Sequence, residues 1–294
     1  MVYCIGNNNY DVFFEGDRIT SGVPGGSMLN VAVSLGRMSV NVQLITTLGN
    51  DALGDMVLRF LKENHVGTDF IQYSQTKQTS LAVAFLDEAK KPAYTFYGET
   101  KVAEEPVRPY MKQGDILLYG SSFAIHPNTS PEVDAMIDYA QHAGVIKVYD
   151  PNIRKKCAFQ VEGAYEKAMQ RIAQADVVKL SDEDSKALGI SAEKISQKFP
   201  EKIMVMTQGK HPVLLMHQGE KLETPVKAVD PVNTTGAGDA FNAGFIQAMV
   251  EEKIQRHQFN GISYEFWLRA LSKGIETAAK VCQSAENYVP NTVS

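Results

Sequence analysis

The segment NTTGAGDAFNAGF, residues 233–245, concentrates more chemistry than any other stretch of the chain. Gly236, Ala237 and Gly238 are small enough for a tight turn and close backbone approach, and an apolar helical stretch follows them. Amides at such a helix start point outward along a favourable dipole and form an anion site. Asp239 is the odd member, because a carboxylate in an anion pocket repels phosphate. That repulsion is tolerable if the carboxylate takes a proton from an alcohol beside the phosphate being attacked. The plainer reading stays open: a Gly-rich turn in which Asp239 caps a helix.

Two further segments suit a polar ligand. In PGGSMLNVAVSLGRM, residues 24–38, Gly25 and Gly26 leave backbone amides uncovered and Asn30 falls one turn into a helix. An Asn offers donors and acceptors together, which suits sugar hydroxyls; an ordinary loop entering a helix explains the same residues. YDPNIR, residues 149–154, directly follows an apolar strand. Ligands of open α/β sheets collect beyond the carboxyl ends of strands, which places Asp150, Asn152 and Arg154 well. Arg154 can clamp a phosphate bidentately, and a Pro-fixed turn with solvated charge is the alternative. No P-loop, dinucleotide-binding glycine motif, nucleophile-elbow serine or HExxH helix occurs. The six histidines are scattered, and His126 is expected at the surface or in a structural role.

The elements that would position these residues alternate. Strands are expected at 42–49, 115–122, 145–150, 176–181 and 202–209, and helices at 27–38, 52–64, 130–144 and 164–175. Such alternation predicts right-handed βαβ crossovers and an α/β fold with a mainly parallel sheet covered on both faces. Residues 10–22 and 79–99 break the rhythm as hairpin-like strands, the second turning at Asp87 to Pro92. They make either a small antiparallel lid or an extra edge hairpin.

Composition narrows the class. With 294 residues, 44% hydrophobic and 21% charged, the chain lies in the ordinary globular range. A net charge of -5 argues against nucleic acid or anionic lipid as partner. No signal peptide and no membrane-spanning run is visible. Cys4, Cys157 and Cys282 form no CxxC pair, so a reducing, cytoplasmic setting is expected.

Taken in chain order, these segments resemble the ribokinase-like (PfkB-type) carbohydrate kinases from end to end. The sugar-binding Asp after the first strand is matched by Asp11, the glycine pair and downstream Asn by Gly25, Gly26 and Asn30, and the LGxDxxG segment by residues 48–54. The C-terminal signature D-T-T-G-A-G-D appears as Asn233 through Asp239. The resemblance implies a single kinase domain over residues 1–294, a three-layer ribokinase-like fold, and a β-lid near 10–22 and 79–99. It implies an anion hole from Gly236, Ala237 and Gly238, with Asp239 as catalytic base.

It further implies ATP and Mg2+ as cofactors, with K+ as a third candidate. Ser181 and Asp184 stand at the N-x-x-E element, which influences magnesium and phosphate, although both depart from the usual Asn and Glu. Thr207 and Gly209 match a T-x-G beside ATP, and Asn287 falls near the adenine or the cation loop. Asn233 replaces an Asp that commonly helps to bind a monovalent cation, with Thr235 in the same loop. That replacement weakens a potassium site, and Asp230 is a candidate to compensate.

Fructose leads as the implied acceptor, with Asn152 and Arg154 among the substrate-binding residues. A 2-keto-3-deoxygluconate kinase, a ribokinase and a non-catalytic sugar or nucleotide binder are the alternatives. Sugar-acid kinases resembling this chain carry an Arg after an aromatic pair of the lid, where this chain has Gly98 and Glu99. A Glu there disfavours a carboxylate substrate. A homodimer through the lid is the expected assembly.

Overall fold

Apolar side chains that alternate between two faces define the central sheet. The computed structural model describes residues 1–86, 92–98, 107–153 and 162–291. The chain begins with β1 (Val2–Ile5), the hairpin β2 (Asn9–Glu15) and β3 (Arg18–Gly25), then α1 (Ser27–Arg37), β4 (Val42–Gly49), α2 (Ala52–Glu63) and β5 (Ile71–Ser74). A second hairpin, β6 (Leu81–Leu86) and β7 (Pro92–Tyr97), precedes β8 (Ile116–Gly120), α3 (Ser121–Ile125), α4 (Ser130–His142) and β9 (Ile146–Asp150). Next come α5 (Ala164–Gln174), β10 (Val177–Ser181), α6 (Asp182–Leu188), α7 (Ala192–Lys198) and β11 (Ile203–Gln208). The strands β12 (His211–His217) and β13 (Glu220–Thr224) and the long helices α8 (Ala237–Glu251) and α9 (Tyr264–Cys282) complete the path.

Nine strands form the large sheet in the order β13-β12-β11-β10-β9-β8-β1-β4-β5. All neighbours pair in parallel except β11 with β12 and β12 with β13. Val2 and Cys4 of β1 face one core with α1, α2, α8 and α9, while Tyr3 and Ile5 face the other with α3, α4 and α5. The same alternation separates Ile203 and Val205 from Met204 and Met206 in β11. Burial on both faces is why these strands read as continuous apolar runs. The helix–sheet–helix sandwich matches the expected three-layer α/β architecture.

The smaller sheet has the order β3-β2-β6-β7. Both of its hairpins are antiparallel, and a parallel β2–β6 seam joins them, with Asp11 opposite Ala82. Of the turn expected at Asp87 to Pro92, residues 87–91 lie outside the described residues and Pro92 begins β7. Among the described residues no helix is long and apolar enough to cross a membrane. Cys4 is buried and Cys282 half-buried, both as free thiols.

Helix α8 fixes the signature segment. Its residues are buried on nearly every side, from Ala240 and Phe241 to Met249, as expected for a helix enclosed by other elements. Phe245 stacks on Trp267 of α9 with ring centroids 6.0 Å apart.

Candidate active site

Gly236 starts α8 in the left-handed region at φ 81°, and a Cβ there would lie 2.0 Å from the Asn287 carbonyl oxygen. Only glycine fits such a contact. The ladder of α8 begins with the Ala240 N–H donating to the Gly236 carbonyl at 2.8 Å, so the Ala237 and Gly238 amides precede it. Ala237 N–H reaches the Thr234 carbonyl at a long 3.3 Å.

Asp239 sits in the first turn of α8, and its side chain does not cap the helix. The capping alternative is thereby set aside. Its carboxylate instead accepts from Ser27 Oγ at 2.6 Å and from Asn30 Nδ2 at 2.8 Å. Ser27 in turn accepts from Asn152 Nδ2 at 2.9 Å. The direction of this relay is fixed, because an amide nitrogen only donates, so the Ser27 proton must point at Asp239. Asn152 holds its place at the end of β9 with φ 42°, an uncommon backbone state for a residue with a side chain.

A cavity of about 270 Å3 opens at the carboxyl ends of β1, β8 and β9, between the two sheets. Asp11, Gly26, Asn30, Asn152, Gly236 and Asp239 line it, so most of the expected sugar and catalytic residues share one wall system. The smaller sheet contributes Tyr94 and Phe96, stacked with centroids 5.9 Å apart. Gly25 does not line the cavity. Its part is to make room, since a Cβ there would fall 2.5 Å from Asp11 Oδ2. Among the described residues, Asn8 Oδ1 and Asn30 Oδ1 are buried acceptors without a partner, and both residues line this cavity. A ligand rich in hydroxyl groups would satisfy them.

The expected nucleotide residues lie elsewhere. Ser181 and Thr207 pair side by side at the carboxyl ends of β10 and β11, and Gly209 turns the chain into β12 at φ 58°. Ser181 and Asp184 form a reciprocal capping box on α6. Asp184 Oδ2 accepts from the Ser181 amide at 2.7 Å, and Oδ1 accepts from the Ile153 amide at 2.7 Å. Asn287 abuts the Gly236 turn and accepts from Asn233 Nδ2 at 3.2 Å. The Asn233 oxygen accepts from the Thr235 amide at 2.9 Å. Arg154 and Glu99 lie outside the described residues.

Beneath the Gly236–Gly238 turn lies a charge cluster. Asp150, fully buried at the end of β9, accepts from Lys179 Nζ at 3.2 Å and Asn242 Nδ2 at 2.6 Å. The Asp150 carboxyl is pushed up to about 6, chiefly by burial; Lys179 and the Asn242 hydrogen bond work against the rise, and Asp184 and Asp239 add to it. Burial also disfavours the Lys179 charge, but Asp150, Asp184 and Asp239 outweigh it and hold the proton more tightly than usual.

Sequence reasoning missed Ser27, Asn8, the Tyr94–Phe96 platform and Lys179. Lys179 had a visible signal, a lone charge inside the apolar run VVKLS. His126, expected at the surface or in a structural role, is half-buried and lines the cavity.

The fold has clear counterparts. An ATP-dependent 6-phosphofructokinase of Thermoanaerobacterium thermosaccharolyticum is 25% identical over 77% of this chain and 72% of its own length. A fructokinase of Klebsiella pneumoniae is 25% identical over 98% of this chain and 96% of its own. The crystal structure of a Vibrio cholerae O395 fructokinase with fructose, ADP and calcium superposes with a TM-score of 0.84 at 25% identity, covering 97% of this chain and 94% of that one. A family match spanning residues 4–290 takes in every residue of the cavity, and the chain belongs to the pfkB family of carbohydrate kinases.

Proposed function

We propose that this carbohydrate kinase is a fructokinase, transferring the γ-phosphoryl group of ATP to a primary hydroxyl of fructose. The observation that carries the reading is the pairing, in one cavity, of the fixed carboxylate Asp239 with the unpartnered acceptors Asn8 Oδ1 and Asn30 Oδ1. The whole-length similarity to fructokinases supports fructose as the acceptor.

In this mechanism Asp11, Asn30 and Asn152 hold the sugar, with Arg154 assisting. Gly25 and Gly26 shape the wall behind Asp11. Asp239 accepts the hydroxyl proton, and the freed oxygen bonds to the γ-phosphorus while the bond to the bridging oxygen of ADP breaks. The Gly236, Ala237 and Gly238 backbone stabilises the charge on the transferring group. Most of the acceleration comes from positioning and charge stabilisation. Closure of the β2–β3 and β6–β7 sheet over the sugar would exclude water and suppress ATP hydrolysis.

Ser181, Thr207, Gly209 and Asn287 border the nucleotide in this reading. Asp184 would act indirectly on Mg2+, which when bound with ATP would neutralise phosphate charge. Activation by potassium is weak in this reading, because Asn233 offers an oxygen ligand without the negative charge of an Asp.

We read residues 1–294 as one ribokinase-like domain working in the cytoplasm. A second copy of the chain covering the lid, where Ile19, Phe85, Phe96 and Tyr97 are exposed, completes the assembly.

ADP release over a panel of fructose, fructose 6-phosphate, ribose and 2-keto-3-deoxygluconate tests the assignment. Fructose should give the highest kcat/KM, with the sugar acid at least about tenfold lower, a margin of roughly 1.4 kcal/mol. Better turnover of any other acceptor overturns fructose as the substrate. Absence of sugar-dependent ADP release with every acceptor overturns the mechanism.

A further inference from the structure

Resting on the reading of Asp239 as base, we propose that Lys179 is a positioning residue of the phosphoryl transfer: a buried cation that holds the Gly236–Asp239 turn and offsets the charge gathered beneath it. Lys179 belongs to β10, and its side chain is only 6% exposed. Its ammonium lies on the underside of the turn, since a Cβ on Gly238 would stand 3.0 Å from Nζ. Gly238 has no left-handed φ, so the lysine supplies a reason for the second glycine that backbone conformation does not.

The lysine also links three elements. Its ammonium donates to Asp150 of β9, and the same Asp150 oxygen accepts from Asn242, three residues beyond Asp239 on α8. Among the described residues Asp150 is its one hydrogen-bonding partner. Three carboxylates, Asp150, Asp184 and Asp239, nevertheless act on this single ammonium. A phosphoryl group arriving at the turn adds further negative charge to that set. In a water-poor interior such repulsion is large, and a fixed cation in the same layer opposes it without reorganising during the reaction.

The simpler view is that Lys179 only neutralises Asp150, whose buried carboxylate would be costly alone. The two views part when both charges are removed together. Lys179→Gln leaves Asp150 unpaired and is expected to lower both melting temperature and kcat. Lys179→Gln/Asp150→Asn replaces the ion pair with two neutral amides that can bond to each other, so the protein folds where the single variant fails. On our proposal the double variant melts within a few degrees of the parent, keeps its fructose KM within about threefold, and still loses at least about tenfold in kcat. A double variant whose kcat returns to within threefold of the parent would show a counter-ion and nothing more, and the proposal would fall. Lack of sugar-dependent ADP release by the parent would instead overturn the kinase mechanism itself, an outcome read before any variant is made.

Discussion

Asp11 and Asp239 face the same cavity and are equally buried, each 6% exposed, yet they stand on very different ground. Asp239 is rooted in a helix enclosed by α1 and α9, with two named donors and a buried charge cluster below it. Asp11 belongs to β2, whose neighbours in the strand are half-buried and whose partner β3 is largely exposed. A group that must meet a reacting hydroxyl gains from rigid support, because small misplacements cost large factors in rate. A group that recognises a sugar can ride on a layer that closes over it. The proposed mechanism accordingly gives chemistry to the helix and recognition to the smaller sheet.

The strongest way to break this division is at the helix. Asp239→Asn keeps the size and polarity of the side chain but cannot take a proton, so kcat should fall by at least about 10²-fold. Melting temperature should hold, since Asp239 does not cap α8. Next comes the lid: Asp11→Asn should raise the fructose KM about tenfold or more while kcat stays within about threefold. Gly25→Ala sharpens the point more gently. The new methyl would crowd Asp11 Oδ2 at 2.5 Å, and a KM rise of about three- to tenfold is expected from the displaced carboxylate. The smallest effect concerns the cation loop. Asn233→Asp restores a charged oxygen beside Thr235, and activation of kcat by K+ should increase about twofold over the parent; equal K+ response in both proteins would show that position 233 does not govern it.

The helix side of this comparison was legible in the sequence, and the reason is local. Gly236 through Asp239 are consecutive, so the turn, the amides at the helix start and the carboxylate are written next to one another. The strands β4, β8, β9, β10 and β11 were legible as well, because burial on both faces produces mainly apolar runs. The supporting contacts were not. Ser27 meets Asp239 across 212 residues and Asn152 across 125, and no periodicity encodes such a pairing. Lys179 left a trace as a charge in an apolar strand, but its partner Asp150 lies on a neighbouring strand that only the sheet order reveals. The lid was legible as two hairpins, whereas the parallel seam that joins β2 to β6 depends on tertiary pairing.

Fructose saturation curves for Asp239→Asn and Asp11→Asn, recorded at saturating ATP with protein prepared in parallel, test the division of labour most directly. Asp239→Asn should retain its fructose KM and lose kcat by about two orders of magnitude or more, while Asp11→Asn should lose KM and retain kcat. A kcat for Asp239→Asn within threefold of the parent, or the same loss of kcat in both variants, would contradict it.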